Sequence, residues 1–281
     1  MIPIFFVNLT SQPERLEWFT AQCRKLDIEA VRVDAVNGSE LSDQELDGYR
    51  QRRQMDAHFG PAEIGCYLSH WRAWEQFLAT DADWGFIAED DLHLAVDSAD
   101  FFRSTEWIPH DADVIKAEST FKKCHLGKVG DLSGSVRSLR RLLSLHGGGG
   151  GYFLSRNSAM ELCRHARLVA EPVDLLIFHP KLGFFEKNTV YQIDPAIGAQ
   201  DLFFSQKIAD FQKSGLEVER QTLRKKPSSS KILRELKRPG IQLLHYISNR
   251  VKKLIWRSEW RAVPYAGSPD ATPQIMKSRY Q

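Results

Sequence analysis

Apolar residues run almost unbroken from Ile2 to Leu9, the pattern of a strand covered on both faces, as in a parallel sheet. A helix is expected directly after it. Ser11 and Glu14 have capping-box spacing, Pro13 stands in the first turn, and Leu16, Phe19, Cys23 and Leu26 recur on one helical face. Val31 to Val36 reads as the next strand, so the chain opens with a right-handed β-α-β unit. The stretch from Asn37 to His58 is polar with few anchors. Gly60-Pro61 then introduces a helix with Ile64, Leu68, Trp71 and Leu78 on one face. Trp84 to Ala88 is a short buried strand, and Asp113 to Ala117 another, with Glu118 just past its end. Ser119 to Leu145, rich in Ser, Gly and Arg, reads as a surface loop. Five glycines, Gly147 to Gly151, precede the strand-like Tyr152-Phe-Leu, and a helix is expected from about Asn157 to Arg167. Pro172 to Phe178 and Val190 to Pro195 are the last segments that read as packed.

Composition narrows the class. With 281 residues, 42% hydrophobic and 26% charged, the chain is globular, and disorder, collagen and coiled coil are excluded. A net charge of +2 announces no nucleic-acid partner, but its distribution is uneven. From Arg220 to Arg261 thirteen basic residues stand against only Glu235 and Glu259. Ile241, Leu244, Ile247, Val251, Leu254 and Ile255 follow Pro239-Gly240 at helical spacing, with Arg250, Lys252 and Lys253 elsewhere around the helix. With Trp256 and Trp260, this stretch fits an amphipathic helix lying on anionic lipid, and docking on the main domain is the competing reading. The opening segment reads as a strand, not an export signal, and no apolar run reaches the ~18 residues of a membrane span. Four dispersed cysteines with no C-x-x-C pair suit a reducing compartment and indicate neither a zinc knuckle nor a disulfide framework.

The sharpest chemistry is Glu89-Asp90-Asp91, three carboxylates at the C-terminal end of a strand, where open α/β sheets place ligands. Close carboxylates repel, and a hard divalent cation keeps them ionised. A solvated turn is the alternative. Ser69-His70 interrupts an otherwise apolar helix, where a histidine is more often a packing residue than a ligand. The glycine run suits close approach of backbone to a ligand. Neither a G-x-G-x-x-G after the first strand nor a P-loop occurs.

Taken in order, Phe6-Val-Asn-Leu9, Pro13-Glu-Arg15, Val33-Asp-Ala-Val-Asn-Gly38, Glu63-Ile-Gly-Cys-Tyr-Leu-Ser-His70 with Trp74, and Glu89-Asp-Asp91 closely resemble glycosyltransferase family 25. Gly151-Tyr-Phe-Leu-Ser-Arg, Pro172-Val-Asp-Leu-Leu-Ile-Phe and Gln192 to Asp201 look like the bacterial lipooligosaccharide β-1,4-galactosyltransferases of that family. The resemblance spans about Ile2 to Ser205. It implies a GT-A-like, Rossmann-like α/β domain binding a nucleotide sugar, placed over residues 1–216, and the shift to basic composition past Leu216 marks a basic helical tail over 217–281. It also implies a UDP-hexose donor, a lipid-linked oligosaccharide acceptor, and work at the cytoplasmic face of a bacterial inner membrane. Asp91 is then the first choice of Mn or Mg ligand, with Glu89 and Asp90 on the metal, its waters or the ribose. Asn8, Arg15, Asp34 and Ala35 would form the nucleoside side, with Ser69, His70 and Gly151 closing the pocket. An inverting transfer needs a carboxylate base. Asp174 is the first candidate, Glu118 and Asp201 the alternatives, and Asp174 reads equally as a helix N-cap after Pro172. Galactose is the expected sugar and glucose the within-class alternative. A non-catalytic, membrane-associated glycan-binding protein is the alternative of another class.

Overall fold

The computed structural model describes residues 1–56, 58–131, 137–204 and 257–267. β1 (Ile4–Asn8) pairs in parallel with β2 (Ala30–Asp34) on one side and β3 (Trp84–Glu89) on the other, with α1 (Pro13–Lys25) as the first crossover. Alternation along β1 sends Phe5 and Val7 into a core shared with Ile64, Tyr67, Trp74 and Phe77 of α3 (Pro61–Leu78). Ile4 and Phe6 enter a second core with Phe19 and Cys23 of α1. Both faces are covered, which is why the strand is apolar throughout.

Further along lie β5 (Val114–Lys116), β7 (Lys123–Asp131), β8 (Ser138–Leu142), β9 (Gly151–Ser155), β10 (Val190–Asp194) and β12 (Glu259–Ala262). The large sheet has nine strands in the order β12-β7-β8-β10-β5-β9-β3-β1-β2. β9 is antiparallel to both β3 and β5, and β10 is parallel to β5. Hence β2, β1, β3, β5 and β10 all run one way, with β9 reversed among them. The C-terminal ends of those five and the glycine run that enters β9 therefore meet at one edge. A small sheet of β4 (Leu92–Leu94), β11 (Gly198–Gln200) and β6 (Glu118–Ser119) stands at that edge, β11 antiparallel to β4 and parallel to β6. This is a mixed α/β fold consistent with a Rossmann-like glycosyltransferase.

Four expectations change. The Ser11/Glu14 capping box does not form: α1 begins after Gln12 with no side-chain cap, and a capping box joins Ser42 to Glu45 at α2 (Asp43–Arg50), inside the polar stretch with few anchors. On α3 the buried stripe is Ile64, Tyr67, His70, Trp74 and Phe77, while Leu68, Trp71 and Leu78 are half-buried. That rotation carries His70 into the interior. The segment from Ser119 to Leu145, expected as a surface loop, contains β7 and β8, with Cys124, Leu126, Leu139 and Leu142 buried. Two of its arginines, Arg137 and Arg140, are interior because they are paired. Buried Arg137 donates to Asp97 and to the carbonyls of Pro195, Ala196 and Ala266, and Arg140 binds Gly127 O and Glu259. Finally, Trp260, expected on an interfacial helix, lies on β12, which pairs with β7. Residues 205–256, and with them most of the expected tail helix, lie outside the described residues. No helix among the described residues is long and apolar enough to cross a membrane.

Beside the glycine run, His146 is buried and bonded through Nδ1 to Gln192 Oε1 at 3.0 Å. Burial, with Lys116 and Lys122 nearby, depresses its pKa to about 3. The folded state thus keeps His146 neutral while the unfolded chain protonates near its ordinary value of 6.5. Stability should fall as pH drops below 6.5 towards 3, by up to about 1.4 kcal/mol per pH unit from this group. Urea unfolding of wild type and His146→Gln between pH 7 and 4.5 checks this: the variant should show the shallower acid loss, and equal slopes would refute it.

Candidate active site

The acidic triplet closes β3 and turns into β4, held from both sides by backbone. Glu89 N–H donates to Gly150 O at 3.0 Å, and Asp91 O accepts from Asp201 N–H at 2.9 Å. Asn8, the last residue of β1, donates through Nδ2 to Asp90 Oδ2 at 2.7 Å. Arg15, in the first turn of α1, reaches Asp90 Oδ1 at 3.1 Å and Asp91 Oδ2 at 3.6 Å. The β1–α1 turn thereby delivers an amide and a guanidinium to the carboxylates. Gln200, at the end of β11, donates through Nε2 to Glu89 Oε2 at 2.6 Å and Asp91 Oδ1 at 3.3 Å.

These carboxylates are dear to bury. Desolvation, then the charges of Glu89 and Asp90, push Asp91 up to about 8 against the opposing pull of Arg15. Asp90 is raised by burial too, opposed by Arg15 and Asn8. For Arg15, burial would lower the pKa, but Asp91, Asp90 and Glu89 outweigh it and the guanidinium stays charged. Asp91 and Glu89, two hard oxygen donors joined by one amide, have the chemistry of a Mg or Mn site, and such an ion would relieve this repulsion.

The glycine run threads between the candidate bases. Gly148 N–H donates to Asp174 Oδ2 at 3.0 Å and Gly150 N–H to Glu118 Oε1 at 2.8 Å. A Cβ on Gly150 would lie 2.7 Å from both Gln200 Cγ and Glu118 Oε2. Glycine is needed here for close approach, although the neighbours are protein side chains. Gly151 itself faces Leu92, 2.7 Å from the position of a Cβ. Glu118 is fully buried and ion-paired with Lys116 Nζ at 2.9 Å. Burial raises its pKa, with Lys116 opposing. Lys116 also donates to Gly148 O and stands 4.2 Å from the centroid of the Phe178 ring. Asp174 lies in the first turn of a further helix, α4 (Val173–Phe178), and is half-buried; the N-cap there is Pro172, so the alternative capping role of Asp174 is not what it does.

On the α3 side, His70 Nε2 is 3.3 Å from Glu89 Oε1 and Nδ1 is 3.0 Å from Tyr152 OH, which accepts from Trp74 Nε1 at 2.8 Å. Ser69 accepts from Val36 N–H at 2.8 Å and donates to Gly65 O, so it ties α3 to the loop after β2. Ala35 N–H donates to Asn8 O at 3.1 Å, whereas Asp34 is exposed and paired with Arg32 at 2.9 Å. Asp201 is buried and bound to His93 Nε2 at 2.9 Å. The structure thus gathers Asn8, Arg15, His70, Glu89, Asp90 and Asp91, with Glu118, Asp174 and the glycine run adjoining. Asp34 and the Asp201 carboxylate are engaged elsewhere. Sequence reasoning missed Gln200, Lys116 and Cys66, whose Sγ lies 3.8 Å from Glu89 Oε1. Neighbours at a strand end point apart, and that alternation could have separated Gln200 from Asp201.

Known proteins share this arrangement of sequence. The chain is 26% identical over 228 residues to the lipooligosaccharide biosynthesis protein lic2B of Haemophilus influenzae, covering 77% of this chain and 82% of the relative. It is 29% identical over 245 residues to the lacto-N-neotetraose biosynthesis glycosyltransferase LgtE of Neisseria gonorrhoeae, covering 83% and 86%. Against the lipooligosaccharide biosynthesis protein lex-1 of H. influenzae it is 30% identical over 212 residues, covering 71% and 67%. The model of glycosyltransferase family 25 (LPS biosynthesis protein) matches residues 1–177, which hold every strand end of the carboxylate cluster except that of β11. With sheet edge, acidic turn and sequence in agreement, the chain belongs to glycosyltransferase family 25.

Proposed function

We propose that this glycosyltransferase moves galactose from UDP-galactose to the core of a lipooligosaccharide, with inversion and with Mn or Mg held by Asp91 and Glu89. The observation that carries the reading is the pair of half-buried Glu89 and buried Asp91 at the sheet edge, joined through Gln200 and faced by Arg15. When bound, the cation would offset the diphosphate's charge and stabilise UDP as it leaves. Asn8 and Arg15 hold Asp90 in place and keep the turn rigid. Asp174 serves as base: both its oxygens are oriented by backbone N–H groups, of Gly148 at 3.0 Å and Leu175 at 2.9 Å, and each keeps a lone pair. As the acceptor oxygen bonds to the anomeric carbon and the bond to the UDP oxygen breaks, the hydroxyl proton passes to Asp174. Glu118 is less suited, being fully buried against Lys116.

Lipooligosaccharide as acceptor draws support from the relatives lic2B and lex-1, and galactose from the resemblance to the lipooligosaccharide galactosyltransferases. Glucose is the second donor to test. UDP release should be measured across a panel of UDP-sugars with Mn and with EDTA, with and without lactose- and glucose-terminated acceptors. Release from UDP-galactose that EDTA abolishes is expected. Preference for UDP-glucose would correct the donor. Silence across the panel, with no UDP-dependent thermal shift, would overturn the reading.

A further inference from the structure

Cys66, His70 and Glu89 each bring one donor atom to a common point, all within 4.8 Å of one another. Cys66 and His70 are spaced i, i+4 on α3, which puts both on one helical face, and Glu89 meets them from the end of β3. Tetrahedral zinc, with bonds of about 2.0 to 2.3 Å, separates nitrogen and oxygen ligands by about 3.3 Å and sulfur and oxygen ligands by about 3.6 Å. The observed separations are 3.3 Å for His70 Nε2 to Glu89 Oε1 and 3.8 Å for Cys66 Sγ to the same oxygen. We propose that Cys66, His70 and Glu89 form a site for a thiophilic divalent cation of the zinc class, distinct in donor chemistry from the all-oxygen pair of Glu89 and Asp91.

A further feature fits a ligand set. His70 is oriented by a buried relay, Trp74 Nε1–H to Tyr152 OH to His70 Nδ1, the kind of outer support that fixes ring angle and tautomer in metal-binding histidines. Because Trp74 can only donate, the Tyr152 proton is free for Nδ1, and His70 Nε2–H then points at Glu89. On metal binding the ring changes tautomer, Nδ1–H donates to Tyr152, and the Nε2 lone pair meets the ion. The Cys66 thiol loses its proton to solvent, so one proton leaves per ion and dication, thiolate and carboxylate sum to zero charge. Glu89 belongs to both donor sets, so on the transfer reading above, zinc in this site would withdraw a ligand from the Asp91 ion.

The binding test needs no activity and so can fail independently of that reading. Reduced, metal-free protein is titrated with Co2+, and one equivalent should produce a thiolate-to-cobalt charge-transfer band in the near ultraviolet. Cys66→Ser should abolish the band and weaken binding by at least about 100-fold. Co2+ binding without the band, a band that survives in Cys66→Ser, or no binding would each overturn the proposal. Should Cys66→Ser fail to fold, wild-type protein decides the matter. Zn2+ should slow alkylation of Cys66, mapped by peptide mass spectrometry, by at least about tenfold, and an unchanged rate would refute the site.

Discussion

Replacing Asp91 with asparagine is expected to lower sugar transfer by about a thousandfold or more while leaving the protein as stable as wild type, or more so. The two halves of that expectation have one cause. Asp91 is buried among like charges and pushed up to about 8, so its ionised form burdens the fold. The neutral amide keeps the shape, can still accept from Gln200, and removes the repulsion with Glu89 and Asp90. What it loses is a charged oxygen for the cation. Turnover with saturating donor, beside thermal melts with and without Mn, separates the effects: a metal-dependent rise in melting temperature should be present in wild type and absent in the variant. Near-normal turnover in a folded Asp91→Asn protein would remove this residue from the mechanism.

Lys116→Met is expected to be the most damaging single change to stability near the site, by about 3 to 5 kcal/mol, because it strands the Glu118 carboxylate without its buried partner. Methionine keeps the contact with Phe178, so the loss reports charge and not volume. At roughly 2 to 4 °C per kcal/mol, the melting temperature should fall by about 10 °C. Adding Glu118→Gln should restore much of the loss, since the amide can accept from Gly150 N–H without a counter-ion. The double variant also tests the base: if it transfers sugar, the proton goes to another carboxylate, and Asp174 is next in line. A double variant no more stable than Lys116→Met would show that the ion pair is not what Lys116 supplies.

Much of the fold is legible in the sequence. β1 could be read from its unbroken apolar run because a strand covered on both faces admits nothing else, and the acidic triplet because three carboxylates at a strand end need a reason. The segment from Ser119 to Leu145 misled because its arginines are neutralised by partners far away in sequence, Arg137 by Asp97 and Arg140 by Glu259. Composition reports a residue's charge and not its distant partner. Lys116 was hidden for the same reason, a cation inside an apolar strand whose partner Glu118 looked like a free carboxylate. On α3 the stripe was misplaced by a fraction of a turn because the helix is apolar nearly all round, and the choice that mattered, whether His70 faces in or out, rested on tertiary packing. Gln200 was passed over for its neighbour Asp201 because a carboxylate looks more like chemistry than an amide does.

The pairing of β12 with β7 sets which strand forms the rim of the large sheet. Residues 257–267 are stitched in by Arg261 to Asp194, by the Val263 carbonyl to Ser119, and by the Ala266 carbonyl to Arg137. β12 covers the outer ladder of β7 with backbone hydrogen bonds. Removing Glu259–Ala262 would bare β7, nine residues long against the four of β12, as the new edge, and a longer open ladder is a template on which a second chain can pair.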